Sequence, residues 1–102
     1  PLSTPAVKIT LSRQALRDID GALDYYSRSG SWRAADLFLA DIDQLRMMLA
    51  GSPGAGRPTR RAGTHVILLP RFPYQVFYGR VGRSELRIIR VRHAHRRPLA
   101  WA

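Results

Sequence analysis

FPYQVFYGRVGRSELRIIRVRHAHRRPLAW, residues 72–101, decides how this chain is read. Two runs rich in aromatic and β-branched residues, Tyr74–Arg80 and Ser84–His93, flank a turn residue, Gly82, the pattern of an antiparallel strand pair. Tyr74, Val76 and Tyr78 recur at period two, so they are expected on one core-facing side. In the following run Leu86 and Ile88 alternate onto one side and Ile89 and Val91 onto the other. Apolar residues on both sides predict a strand that is central or covered twice. By the same alternation Arg87 goes with Ile89, Val91 and His93, and Arg90 and Arg92 go with Leu86 and Ile88. His93, His95, Arg96 and Arg97 then form a basic tail.

Working toward the N-terminus, His65–Leu69 reads as a third strand, preceded by the Gly- and Pro-rich loop SPGAGRPTRRAG, residues 52–63. Residues 31–50 carry Ala34, Phe38, Ile42, Leu45 and Leu49 at spacings of three and four, one stripe of a helix closed by Gly51. Ser12 is a good N-cap for an earlier helix with Leu16, Ile19, Leu23 and Tyr26 on one face. Gly30 is placed to end that helix as a C′ residue. The short connection makes the two helices an αα-hairpin. Residues 6–11, AVKITL, alternate as a short strand, and Pro1 and Pro5 resist regular structure at residues 1–5. The order is βααβββ. It predicts one α+β domain over residues 1–102, with the N-terminal strand and αα-hairpin packed on one face of a small antiparallel sheet.

Charge is divided unevenly. Residues 1–50 hold equal numbers of basic and acidic groups, whereas residues 51–102 hold eleven arginines against the single acid Glu85 and carry the whole net charge of +10. A cationic half of this kind points to an acidic partner. The acids of the helices, Asp20 with Asp24 and Asp36 with Asp41, read as a solvated face. There is no cysteine, so disulfides, zinc-thiolate sites and cysteine nucleophiles are excluded. No apolar run approaches the length of a membrane span, and the N-terminal residues lack the pattern of a signal peptide. A cytoplasmic protein with no membrane partner is expected. Phosphate-binding glycine motifs, HExxH and a nucleophile elbow are all missing. His93 and His95 share a strand face, but no third ligand accompanies them and arginines flank them, so neither metal nor cofactor is expected. What remains is the arginine cluster, since guanidinium groups bind phosphates and carboxylates bidentately. With Arg92, His93, His95 and Arg96, and Tyr74 or Tyr78 nearby, it has the residue types for metal-independent RNA cleavage.

Taken in order, these pieces resemble the RelE/ParE superfamily of toxins from bacterial type II toxin–antitoxin operons, and more closely its ParE branch. SRQALRDIDGALDYY resembles the first family helix, and RAADLFLADIDQLRMML the second, entered through paired alanines. GSPGAGRP resembles the loop ending in Gly-Arg-Pro, here Gly56, Arg57 and Pro58. LLPRFPYQVFY resembles the aromatic strand, and IIRVRHAHRRP the last strand with its His-x-x-Arg, here His93 and Arg96.

The resemblance covers roughly residues 6–101. It implies a non-enzymatic inhibitor of DNA gyrase, neutralised by a ParD-like antitoxin and meeting DNA only through the antitoxin complex. RelE-like relatives cleave translated mRNA and use an arginine where this chain has Gln75, and a Tyr or His where it has Trp101. Those departures favour the gyrase branch. RNA cleavage by Arg92, His93, His95 and Arg96 is one alternative, and a non-toxic member of an operator-binding complex is another. The residues expected to meet the antitoxin or target are Arg57, Arg71, Arg87, Arg90, Arg92, Arg96 and Arg97. Apolar Leu37 and Met47 join them, together with Trp101. Leu37, Leu39, Met47 and Met48 lie off the core stripe of the second helix, and exposed methionine adapts well to a partner.

Overall fold

A computed structural model describes residues 7–102. The elements are β1 (Lys8–Leu11), α1 (Arg13–Ser29), α2 (Trp32–Gly51), β2 (Arg57–Pro58), β3 (Thr64–Leu68), β4 (Tyr74–Val81) and β5 (Glu85–His93). The irregular segment expected at residues 1–5, and Ala6 as the first strand residue, lie outside the described residues. The α+β class and the order of helices and main strands are as the sequence predicts. The sheet runs β1-β5-β4-β3-β2. It is mixed rather than purely antiparallel, because β1 pairs parallel to β5, Lys8 with Glu85 through Leu11 with Ile88. The two-residue β2 was not foreseen. It pairs with β3 at the sheet edge, where Pro58, lacking an N–H, is tolerated.

Ser12 joins three elements. Its Oγ accepts from the Ala15 N–H at 3.0 Å and its hydroxyl donates to the Ile89 carbonyl at 2.8 Å. The first bond is an N-cap worth about 1 kcal/mol. The Ser12 N–H also donates to the Ile88 carbonyl, so the strand pairing runs directly into the helix cap. Ser31 caps α2 in the same way through the Ala34 N–H. Gly30 ends α1, donating to the Tyr26 carbonyl, but its φ of −116° is not the left-handed conformation expected of a C′ glycine.

Both helices pack on one face of the sheet. The core contains Ile19 from α1, Phe38, Ile42 and Leu49 from α2, and Tyr74, Val76 and Tyr78 from β4. The predicted period-two face of β4 is therefore the core face. Tyr26, Phe38, Phe72 and Tyr74 form an aromatic cluster with neighbouring centroids 5.1–6.3 Å apart. In α1 the buried residues are Ala15, Ile19 and Ala22, and Leu16 is 48% exposed. Small alanines rather than the predicted leucine face β5 and allow the helix to lie close to the strand. In α2 the buried face includes Ala35 and Asp41, and the predicted Ala34 lies at its margin.

A β-bulge corrects the reading of β5. The register pairs Tyr78 with Ile88 and Phe77 with Arg90, which leaves Ile89 as the extra residue. Alternation is broken there, so Val91 joins Leu86 and Ile88 in the core. Arg90 is correspondingly placed opposite Phe77 instead of sharing the face of Leu86 and Ile88. Two glycines have structural reasons. Gly82 supplies the positive φ of the β4–β5 turn. At Gly56 a Cβ would fall 2.7 Å from the Tyr78 hydroxyl and 2.9 Å from the Val66 carbonyl. The Gly56 N–H donates to that hydroxyl, which itself donates to the Pro53 carbonyl.

Candidate functional site

The bulge and the end of β1 together create the site. β1 stops at Leu11, opposite Ile88, so the outer edge of β5 beyond Ile89 has no strand beside it. Asp18, one turn and a half into α1, fills that place. Its Oδ2 accepts from the Val91 N–H at 2.9 Å, and its two oxygens receive Arg90 Nε at 2.8 Å and Nη2 at 3.2 Å. Charge-assisted forked bonds of this kind fix geometry as well as add energy. Asp18 was one of the acids counted as part of a neutral half, and its role was not anticipated.

Around this latch α1 and the C-terminal half of β5 enclose a cleft of about 430 Å³. Arg17, Asp18 and Tyr25 line it from α1, and Arg92, His93, His95 and Arg96 from β5 and the tail. All four residues of the nuclease alternative therefore come together, along with Arg90. Arg17 and Tyr25 were missed. A signal for them existed: Arg17, Gly21 and Tyr25 recur every four residues, one face of a helix.

The electrostatics of the cleft are cationic. Among the described residues no carboxylate lies within salt-bridge distance of Arg17, Arg92 or Arg96, since Asp18 is committed to Arg90. Arg92 donates Nη2 to the Arg97 carbonyl at 2.8 Å. Its pKa is lowered, first by desolvation and then by the charge of Arg90. The Tyr74 hydroxyl is pushed up to about 12, first by burial and then by the adjacent Tyr26, so at neutral pH it carries its proton. His93 stands edge-on to Tyr74 with centroids 5.2 Å apart, and its Nδ1 accepts the His95 N–H at 3.2 Å. That bond requires an unprotonated Nδ1.

The other expected contact residues do not join the cleft. Arg71 is structural: its N–H and Nε bind the two oxygens of Asp41 at 2.9 and 3.0 Å. Asp41 is fully buried, so its placement on a solvated face is corrected. The buried carboxylate ties α2 to the loop before β4. Arg87 bonds Glu85 and Thr10 where β5 begins. Arg57 is on the exposed edge strand β2, and Arg97 is exposed beside the cleft. Trp101 packs edge-on against Phe77, which faces away from the helices, and Arg61 lies 5.2 Å over its ring. Leu37 and Met47 are exposed on α2, Met47 to 76%. Met47 and Met48 border an apolar groove with Ile67, Leu68 and Pro70.

Among the described residues no helix is long and apolar enough to cross a membrane, and no group of three metal-ligating side chains occurs.

Comparison with known proteins gives the family. Residues 9–98 match the family described as ParE toxin of type II toxin-antitoxin system, parDE. A search of curated protein sequences found no match. The chain is similar to a solved structure of the chromosomal ParDE TA system from P. aeruginosa. Identity is 26% and the TM-score 0.75, covering 88% of this chain and 98% of that one. It is also similar to the isolated E. coli RelE toxin, at 17% identity and a TM-score of 0.60, covering 90% and 88%. The second likeness is one of fold.

Proposed function

The chain belongs to the ParE toxin family of type II toxin–antitoxin systems, and we propose that it is a single-domain toxin that inhibits DNA gyrase without chemistry of its own. The ParE family match over residues 9–98 carries this reading. The state of the cleft supports it. Arg90 is held by Asp18, Tyr74 keeps its proton well past neutrality, and His93 Nδ1 is occupied by a backbone N–H. General acid–base catalysis needs a positioned acid and base, and Arg90 and His93 Nδ1 are already engaged within the fold. The test is supercoiling by purified gyrase. Inhibition at near-stoichiometric toxin is expected, with a DNA-damage response when the toxin is expressed alone, and undiminished supercoiling at excess toxin refutes it.

The proposed partner is a ParD-like antitoxin in the same bacterial cytoplasm, through which the complex would meet DNA. An acidic amphipathic segment complements both the +10 charge and the exposed apolar residues Leu37, Leu39, Met47 and Met48 of α2. Met47→Glu should weaken the complex while leaving the free toxin folded.

One observation favours a second reading. Arg92, His93, His95 and Arg96 do converge on one cleft, as a RelE-like ribosome-dependent endoribonuclease would need. Cleavage of mRNA in a translation assay, lost in His95→Ala and Arg96→Ala, would replace the gyrase reading.

A further inference from the structure

We propose that the cleft between α1 and β5 is a non-hydrolytic binding site for a nucleotide, one phosphate together with its base. The nucleotide is presented either free or within a single-stranded nucleic acid. The proposal is independent of gyrase inhibition and stands or falls on binding alone.

Size is the first argument. About 430 Å³ falls within the roughly 300–1,000 Å³ of small-ligand sites. Charge is the second. Arg17 enters from the helix side, and Arg92 and Arg96 from the strand and tail. The one carboxylate in the cleft, Asp18, is already saturated by Arg90 and the Val91 N–H. Nothing else on the chain neutralises these three guanidinium groups among the described residues. Arg92 is partly desolvated beside Arg90, a cost that a bound anion would relieve.

The third argument decides which anion. Tyr25 also lines the cleft and is 61% exposed, its ring held edge-on against Tyr26 at 5.3 Å. His95 is exposed on the strand-and-tail wall of the same cleft, its ring 5.2 Å from that of His93. Inorganic phosphate or an acidic peptide would use the arginines and gain nothing from two exposed rings. A nucleotide uses both, because bases stack on aromatic faces while the backbone phosphate meets arginine.

The experiment is fluorescence anisotropy with the full chain, using labelled hexathymidylate as the probe. Unlabelled hexathymidylate, dTMP, inorganic phosphate and oligoglutamate serve as competitors. Arg17→Gln with Arg96→Gln should weaken hexathymidylate at least ten-fold and flatten the log–log salt dependence by about 0.7, one single-strand phosphate's worth. Arg57→Gln with Arg83→Gln removes the same charge away from the cleft and should cost less than two-fold. Tyr25→Ala should weaken dTMP and hexathymidylate about five-fold while leaving competition by inorganic phosphate unchanged. In NMR spectra of the unaltered protein, dTMP should move the His95 ring signals and not those of His65, a result that does not depend on any variant folding.

If hexathymidylate binds and dTMP does not, the source is a strand; if both bind, a single nucleotide suffices. The proposal is overturned if neither binds, if both double variants weaken binding equally, if Tyr25→Ala has no effect, or if oligoglutamate displaces the probe as well as unlabelled hexathymidylate does.

Discussion

Replacing Asp18 by alanine should unlatch the C-terminal half of β5 from α1. The carboxylate accepts three hydrogen bonds, two from Arg90 and one from the Val91 N–H. Its side chain is 12% exposed and that of Arg90 22%, so solvent screening discounts the pair only modestly. Stripping one partner from a buried pair costs about 3–5 kcal/mol. Alanine returns up to about 0.7 kcal/mol of helix propensity at a mid-helix site. With the discount for partial exposure, a net loss of about 2–4 kcal/mol is expected. That is a large share of the roughly 5–15 kcal/mol that holds a domain folded. Urea denaturation followed by far-UV circular dichroism should show a lower midpoint at unchanged slope. A double-mutant cycle with Arg90→Ala should give a coupling of at least about 1.5 kcal/mol. A cost for Asp18→Ala inside the roughly 0.5 kcal/mol typical of surface changes, or no coupling to Arg90, would refute the latch.

The Asp41–Arg71 tie should behave similarly but more weakly, since half of the Arg71 side chain is in water. Asp41→Ala leaves the Arg71 N–H without its acceptor, at about 1–3 kcal/mol, and a calorimetric fall in Tm of at least about 4 °C is expected for a chain of this size. Tyr74 makes a pH prediction. Burial raises its folded pKa from 10.0 to about 12, so the folded state keeps a proton that the unfolded state loses. Its stabilising contribution is complete below pH 10 and declines as pH rises toward 12; absorbance at alkaline pH should show a late tyrosine ionisation whose amplitude Tyr74→Phe reduces, Tyr26 being raised by burial as well. Gly56→Ala drives a Cβ against the Tyr78 hydroxyl and the Val66 carbonyl. It should cost about 1–3 kcal/mol by overpacking, read from denaturant midpoints, and an unchanged midpoint would show that the loop shifts freely.

Hydrophobic periodicity made the helices and the main strands legible, because Phe38, Ile42, Leu45 and Leu49 can be buried together only on a helix, and Tyr74, Val76 and Tyr78 only on a strand. It failed at Val91 because a bulge changes the period by one residue, and nothing in the local composition marks Ile89 as the residue to skip. Parallel pairing of β1 was illegible for another reason: its partner is some 77 residues away, and a four-residue strand has no directional signature. Asp41 and Asp18 were misjudged because an acid is assigned to solvent unless its cation is known, and both cations, Arg71 and Arg90, are remote in sequence. Of the candidate site, the strand and tail residues were visible as a cluster. The helix wall, Arg17 and Tyr25, becomes part of it only once α1 is laid along β5.

The strand order has a consequence for synthesis. β5 sits between β1 and β4, so the first strand made has no neighbour until the last one exists. Leu86, Ile88 and Val91 likewise complete the core from that final strand. A nascent chain short of residue 85 therefore has two helices and a partial sheet but no closed fold, and pairing across so long a separation is slow. Folding of this domain waits until β5, residues 85–93, has left the ribosome. A toxin of this topology would be harmless until that strand has been made.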